Sequence, residues 1–171
     1  MAIYRQRFFY FAIPTKPIKA ENSFQKKEVN PESRDNSGRT PLSHAATGFM
    51  GREAVKLLLE REGVNPESRD NFGRTPLSHA AEFGGEGTVK LLLEREEVNP
   101  ESRDNSGLTP LSHAASAEKG AGAVRLLLER QEVNPESRDN SGRTPLSHAA
   151  EFGQAAIVKL LLERGDVNPE L

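Results

Sequence analysis

Histidine is the residue type in this sequence best suited to bind a metal ion or to transfer a proton near neutral pH. The four histidines occupy the same place in a repeated heptapeptide, Thr-Pro-Leu-Ser-His-Ala-Ala: His44, His79, His113 and His148. Equivalent positions on neighbouring helices of a stack lie roughly 8–10 Å apart, whereas zinc needs ligands at about 2 Å. Adjacent histidines therefore cannot share an ion without rearrangement, and the chain has no cysteine to complete such a site. We expect a structural or surface role for the histidines, with no metal and no cofactor.

The other candidate chemical groups also recur in every copy. The serines beside the histidines, Ser43, Ser78, Ser112 and Ser147, are expected to bond backbone groups near a helix start rather than to act as nucleophiles. The glycine-rich run at Gly84–Lys90 lacks the spacing of a phosphate-binding loop. A single active site requires a distinct constellation of side chains, which identical copies do not provide. The sequence therefore predicts no catalytic residue and no enzymatic activity.

The elements that position these residues follow from an internal repeat. Val-Asn-Pro-Glu-Ser-Arg-Asp-Asn occurs four times, at 29–36, 64–71, 98–105 and 133–140, and a partial copy occupies 167–170. The heptapeptide with the histidine starts 34 or 35 residues after its previous copy. Periods of this length indicate a solenoid, in which each unit buries an apolar stripe against the next and needs no central core.

Each unit predicts a turn, a short helix, a loop and a second helix. Asp35–Gly38 has the composition of a turn, Thr40 is a candidate N-cap, and Pro41 suits the first helical position. A second helix is predicted over Arg52–Glu62, with one apolar stripe formed by Val55, Leu58 and Leu59. Copies one and three have one more residue between the helices than copies two and four. We place the extra residue in the interhelix loop, with helix lengths unchanged.

This unit resembles the ankyrin repeat over about residues 35–171. The matching residues in the first copy are Gly38, Thr40, Pro41, Leu42, Ala45, Ala46, Val55, Leu57 and Leu58. Serine stands where the family usually has histidine, which has moved one place on, and the link from Val64 to Asp70 is longer than usual. The repeat sequence is similar to those of long ankyrin arrays in filamentous-fungal proteins. The resemblance implies an all-α fold, an ankyrin-repeat solenoid of stacked helix-loop-helix units with β-turn fingers.

Two regions of different charge divide the chain. Residues 1–28 hold six of the ten aromatic residues and carry a charge of +4, against −6 for the rest. We interpret them as a non-repeat basic aromatic leader, or as a degenerate N-terminal half-repeat. Residues 29–171 form the ankyrin repeat domain, with repeats at about 35–69, 70–103, 104–138 and 139–171.

A partner-binding surface is predicted where the copies differ, because the resemblance implies that turn fingers and first helices form a concave binding face. The finger positions are Ser37, Phe72, Ser106 and Ser141, and two residues later Arg39, Arg74, Leu108 and Arg143. A second set follows the first helices: Thr47, Glu82, Ser116 and Glu151. Phe83 and Phe152 are expected to pack beneath the interhelix loop, with partner contact as the alternative. The Glu-Ser-Arg-Asp segments are expected to form a solvated edge.

The function predicted from these features is a non-catalytic protein-protein interaction module or scaffold. The alternative is a recognition or sensor fragment of a larger multidomain protein whose activity lies elsewhere. A formal charge of −2 argues against nucleic acid, and no apolar stretch approaches the ~20 residues that cross a bilayer. The expected partner is a protein, in an intracellular location, cytoplasmic or nuclear. The last repeat lacks a polar cap beside Val158, Leu161 and Leu162, which predicts end-to-end self-association or fraying there.

Overall fold

A computed structural model describes residues 29–48 and 50–164. The predicted leader or half-repeat of residues 1–28 lies outside the described residues, as does the partial fifth copy. The described residues form eight α-helices: α1 Pro41–Thr47, α2 Arg52–Leu59, α3 Pro76–His79, α4 Glu86–Leu93, α5 Pro110–Ser116, α6 Ala121–Leu128, α7 Pro145–Glu151 and α8 Ala155–Glu163. The first helices of the units contact one another in one layer, and the second helices contact one another in a second layer.

Each first helix begins as the sequence predicts. Thr40 has an extended backbone, accepts a hydrogen bond from the Ser43 N–H at 3.2 Å, and is followed by Pro41 at the first helical position. The same cap forms at Thr75, Thr109 and Thr144. The hydroxyl of Ser43 lies 3.2 Å from the hydroxyl of Thr40. The expectation that this serine hydroxyl bonds to a backbone group is therefore wrong. The threonine hydroxyl thus contacts both the N–H and the hydroxyl of the serine, and these contacts fix the helix start.

The turn fingers are joined by hydrogen bonds that pass from one repeat to the next. In the first finger, the N–H of Gly38 donates to the carbonyl of Asp35 at 2.9 Å, with a φ of 77° at the glycine. The N–H of Asn71 donates to the carbonyl of Ser37 at 2.9 Å. A Cβ on Gly38 would lie 2.5 Å from Oδ1 of Asn71, so both the turn and the stacking of the next finger require glycine.

The core is a thin apolar layer between the helices, as the solenoid prediction requires. In the first unit Val55 and Leu59 are buried and Leu58 is half-buried, which confirms the predicted stripe. The second helix ends at Leu59 rather than at Glu62. The chain turns after α2, α4 and α6 so that a valine returns to the core, where Val98 and Val133 are buried and Val64 is partly buried. The second helix therefore ends before the predicted Glu62, because the chain must turn to bring the valine to the core.

The interhelix connections differ between repeats. Four residues separate α1 from α2 and α5 from α6, whereas three separate α7 from α8, which confirms the position of the extra residue. In repeat two a π-helical turn, Ala80–Gly84, extends α3, and Gly85 at a φ of 74° precedes α4. The prediction of unchanged helix lengths is therefore wrong there. In the last unit Leu161 is buried, Val158 is half-buried and Leu162 is exposed, and self-association through this unit stays a prediction.

Candidate partner-binding surface

An aspartate–histidine pair joins the finger to the first helix in every repeat. Nε2 of the histidine lies 3.0 Å from Oδ2 of the aspartate nine residues earlier, in the pairs His44–Asp35, His79–Asp70, His113–Asp104 and His148–Asp139. The other oxygen of Asp70 accepts backbone N–H bonds from Phe72 and Arg74, both at 2.9 Å. Each histidine therefore has a structural role. The constant nine-residue spacing was the sequence signal for this pairing, and the sequence reasoning missed it.

The four aspartate–histidine pairs differ in how deeply they are buried. His44 and Asp35 are exposed, whereas His79, His113 and His148 are buried. Burial and then the positive charge of Arg39 lower the pKa of His79, Asp70 opposes them, and the net result is a pKa of about 4. Burial would raise the pKa of Asp104, yet hydrogen bonds from His113 and from the N–H of Leu108 hold it below its ordinary value. The histidine of the pair is therefore exposed in repeat one and buried in repeats two to four.

The predicted finger residues lie at the surface to different degrees. Phe72, Ser106, Ser141 and Arg143 are exposed, and Ser37, Arg39, Arg74 and Leu108 are half-buried. The ring of Phe72 is 60% exposed, a large apolar area on an otherwise polar finger. Burying such an aromatic surface is a major source of binding energy in protein interfaces.

The arginines of the first two fingers reach the next repeat. Nε of Arg39 lies 3.9 Å from Oδ2 of Asp70, and Nε of Arg74 lies 3.9 Å from Oδ2 of Asp104. Leu108 has no charge to offer Asp139 in the same way. Arg143 instead contacts Asp139 of its own repeat at 3.1 Å. Leu108 therefore replaces a cation between repeats with an apolar contact surface.

The second predicted set contacts the finger set in repeats two and four. Nη1 of Arg74 lies 2.7 Å from Oε2 of Glu82, and Nη1 of Arg143 lies 3.0 Å from Oε2 of Glu151. In repeats one and three the equivalent hydroxyls bond to carbonyls of their own helix. Thr47 donates to the carbonyl of His44 and Ser116 to the carbonyl of Ser112. The structure brings the two sets together where the second position is a glutamate.

Glu82 also takes part in a network that the sequence did not predict. Its Oε2 lies 3.8 Å from Nδ1 of His113, whose Nε2 contacts Asp104, and Arg74 contacts both carboxylates. The four side chains form a closed ring of charged and titratable groups between repeats two and three. This ring fixes Glu82 at the edge of the surface.

Phe83 and Phe152 correct one expectation. Their side chains are 53% and 56% exposed, so neither packs beneath an interhelix loop. They line a groove of about 460 Å³ together with Glu82, Ser116, Ala117, Glu118 and Lys119. The connections after both phenylalanines are short, because Gly85 and Gly153 turn the chain at positive φ. No loop extends over either ring in the part of the chain that the structure describes.

The Glu-Ser-Arg-Asp segments correct a second expectation, because they join repeats instead of forming a solvated edge. Glu32 accepts hydrogen bonds from the N–H of Asn65 at 3.0 Å and from Oγ of Ser68 at 2.6 Å. Arg34 donates to the carbonyl of Arg69 in the next repeat at 2.5 Å. The same bonds recur at the next two junctions. These contacts explain the use of the longer link.

Two further observations bear on chemistry and location. Among residues 29–48 and 50–164, no three histidine or acidic side chains are placed to hold a metal ion together. The helices of these residues include none that is long and apolar enough to cross a membrane.

A comparison of the sequence with known protein families agrees with the stacked architecture. The family model described as ankyrin repeats (3 copies) matches residues 19–104, 51–136 and 88–170. The chain belongs to the ankyrin repeat family. No match was found among curated proteins. Ankyrin repeats are generally protein-interaction modules, and proteins built from them are typically non-enzymatic.

Proposed function

We propose that this chain is a non-catalytic protein-protein interaction module or scaffold, which binds a protein partner through its concave face and turn fingers. The observation that carries the proposal is that residues common to all copies and residues that differ between copies have different structural roles. The residues that are the same in every copy are bonded to one another inside the array. Among those that differ, Phe72 projects its ring from a finger tip.

The finger surface is held in place before any partner binds. The carbonyl of Phe72 accepts a hydrogen bond from the N–H of Asn105 at 2.9 Å, which joins the second finger to the third. The third finger carries Leu108, half-buried, three residues further on. Two apolar side chains thus lie on adjacent, mutually bonded fingers. A preformed surface loses less conformational entropy on association than a flexible one.

The absence of catalysis in this proposal is supported by how the reactive residue types are used. The buried histidines of repeats two to four are paired with aspartates, and the serines beside them contact the capping threonines. A nucleophile or general base needs an open path to its substrate. In the described repeats these groups hold the turn and the helix start together.

The test is partner capture with a double variant of the full chain. Phe72→Ala with Leu108→Ala should leave the circular dichroism spectrum unchanged and reduce affinity for captured proteins by about tenfold or more, because aromatic and aliphatic anchors carry much of an interface's energy. Proteins captured from an extract of the native cell are identified by mass spectrometry. The matched control is Leu57→Ala, which removes a side chain 60% exposed on α2. Equal capture by the double variant and the wild type would exclude the finger surface.

A further inference from the structure

The groove beside Phe83 and Phe152 arises from an alternation of residue size. These two phenylalanines and Ala117 each lie eight residues after the capping threonine of their own repeat. The small side chain of Ala117, in repeat three, is flanked by an aromatic ring from the repeat on either side. A large, a small and a large residue in successive repeats leave a notch above the small one.

Both rings are presented by ordered backbone. Phe83 lies in the π-helical turn that extends α3, and π-helical turns occur frequently at functional sites. Phe152 caps α7, with its N–H donating to the carbonyl of His148 at 3.1 Å. Ala117 caps α5 in a similar way, through the carbonyl of Ala114 at 3.2 Å. The walls and the floor of the groove are therefore preformed.

The charged rim of the groove indicates what kind of segment fits it. Glu82 and Glu118 border it, together with Lys119. Glu82 is held by Arg74 at 2.7 Å. The carboxylate of Glu118 is exposed, and no ion pair among the described residues includes it. Residues 29–164 carry 17 Lys and Arg against 21 Asp and Glu, so the surrounding field also favours a cation.

We propose that this groove binds a basic-apolar segment of a protein partner, which inserts one large aliphatic side chain between Phe83 and Phe152 above Ala117. A Lys or Arg next to that side chain pairs with Glu118. The inference rests on the proposed function and names the chemistry of the partner at a second surface, apart from the fingers. Aliphatic groups pack on the exposed ring faces, and the exposed carboxylate selects the charge of the neighbouring residue.

The probe is a phage-displayed library of random 12-residue peptides, selected against the full 171-residue chain. We expect enriched peptides to contain Leu, Ile or Met next to Lys or Arg. A synthetic peptide of the enriched sequence should bind the Phe83→Ser, Phe152→Ser double variant about tenfold or more weakly. Leu57→Ser removes a side chain 60% exposed on α2, outside both proposed surfaces, and should leave this binding unchanged. Phe72→Ser tests whether the peptide binds the fingers instead. Circular dichroism of all variants checks that the fold is retained.

A charge exchange tests the role of the rim. Glu118→Lys should weaken binding of the basic peptide and improve binding of the same peptide with its Lys changed to Glu. Failure to enrich any peptide, enrichment of acidic peptides, or unchanged binding by the double variant overturns the groove. Binding that depends on Phe72 and not on Phe83 and Phe152 also overturns it, while the proposed finger function stands.

Discussion

The junction between repeats one and two and the junction between repeats two and three use the same aspartate, histidine and arginine. They differ beside the histidine, where the preceding repeat supplies Thr47 at the first junction and Glu82 at the second. At the second junction, Oε2 of Glu82 lies 3.8 Å from Nδ1 of His113. At the first, Nδ1 of His79 is buried with no hydrogen-bond partner among the described residues.

This difference shows that a repeated histidine does not have repeated chemistry. His79 is fully buried beside Asp70, with the guanidinium of Arg39 nearby, and no second carboxylate among the described residues forms an ion pair with it. Its pKa is lowered to about 4, mainly by burial and then by the charge of Arg39. One residue from the preceding repeat therefore decides whether the imidazole has one acidic neighbour or two. The positions that differ between copies thus act on the interior as well as on the surface.

The largest effect that we expect from the burial of His79 is a fall in the free energy of unfolding in acid. The folded state holds His79 neutral down to about pH 4, whereas the unfolded chain protonates it near pH 6.5. The unfolded state therefore binds more protons in this window, and the free energy of unfolding falls as the pH drops from 6.5 to 4. The contribution from His79 is about 3 kcal/mol, measured by urea denaturation at a series of pH values.

The matched variant for this measurement is His79→Gln, which removes the titrating group. The free energy of unfolding of this variant should fall less steeply between pH 6.5 and 4 than that of the wild type. Burial would raise the pKa values of Asp104 and Asp139, but hydrogen bonds hold them below 3.8, so the stability that these carboxylates contribute is lost only at lower pH. Identical slopes for the variant and the wild type above pH 4 would refute this account of His79.

The second prediction converts the first junction into the second. Thr47→Glu places a carboxylate where Glu82 stands one repeat later, and Arg39 is present to hold it as Arg74 holds Glu82. We expect the pKa of His79 to rise from about 4 by about one unit or more, because a nearby negative charge stabilises the imidazolium. Nuclear magnetic resonance titration of the imidazole ring measures this shift. Thr47→Gln is the uncharged control, and an equal shift in both variants would contradict the proposed cause.

Local patterns in the sequence predicted the parts of the fold that depend on neighbours along the chain. Thr40 and Pro41 mark a helix start through bonds within three residues, and Val55 and Leu59 follow a helical period. The pairing of Asp70 with His79 was equally local and regular. It was missed because the histidine was weighed as a metal ligand, and the aspartate nine residues earlier was left out of that weighing.

Contacts between repeats were harder to predict from the sequence. Glu32 bonds Ser68 across 36 residues, so its role depends on the stacking of one unit on the next. Polar composition alone made that segment look like a solvated edge. The exposure of Phe83 likewise depends on the π-helical turn and on the length of the connection that follows it. Apolar character predicts burial only when a neighbouring element is long enough to cover the side chain.

The smallest expected effect concerns the third junction, where Leu108 removes the arginine that the first two junctions share. Leu108→Arg should allow an ion pair with Asp139 like those of Arg39 and Arg74, and release Arg143 from its contact at 3.1 Å. The gain in the free energy of unfolding should lie between about 0 and 1 kcal/mol at low salt and disappear at high salt. Urea denaturation at both ionic strengths measures it, with Leu108→Gln as the uncharged control. A salt-independent gain, or an equal gain with glutamine, would show that the ion pair is not the cause. Because Leu108 also lies on the proposed finger surface, the arginine variant should bind the partner more weakly even where it unfolds less readily.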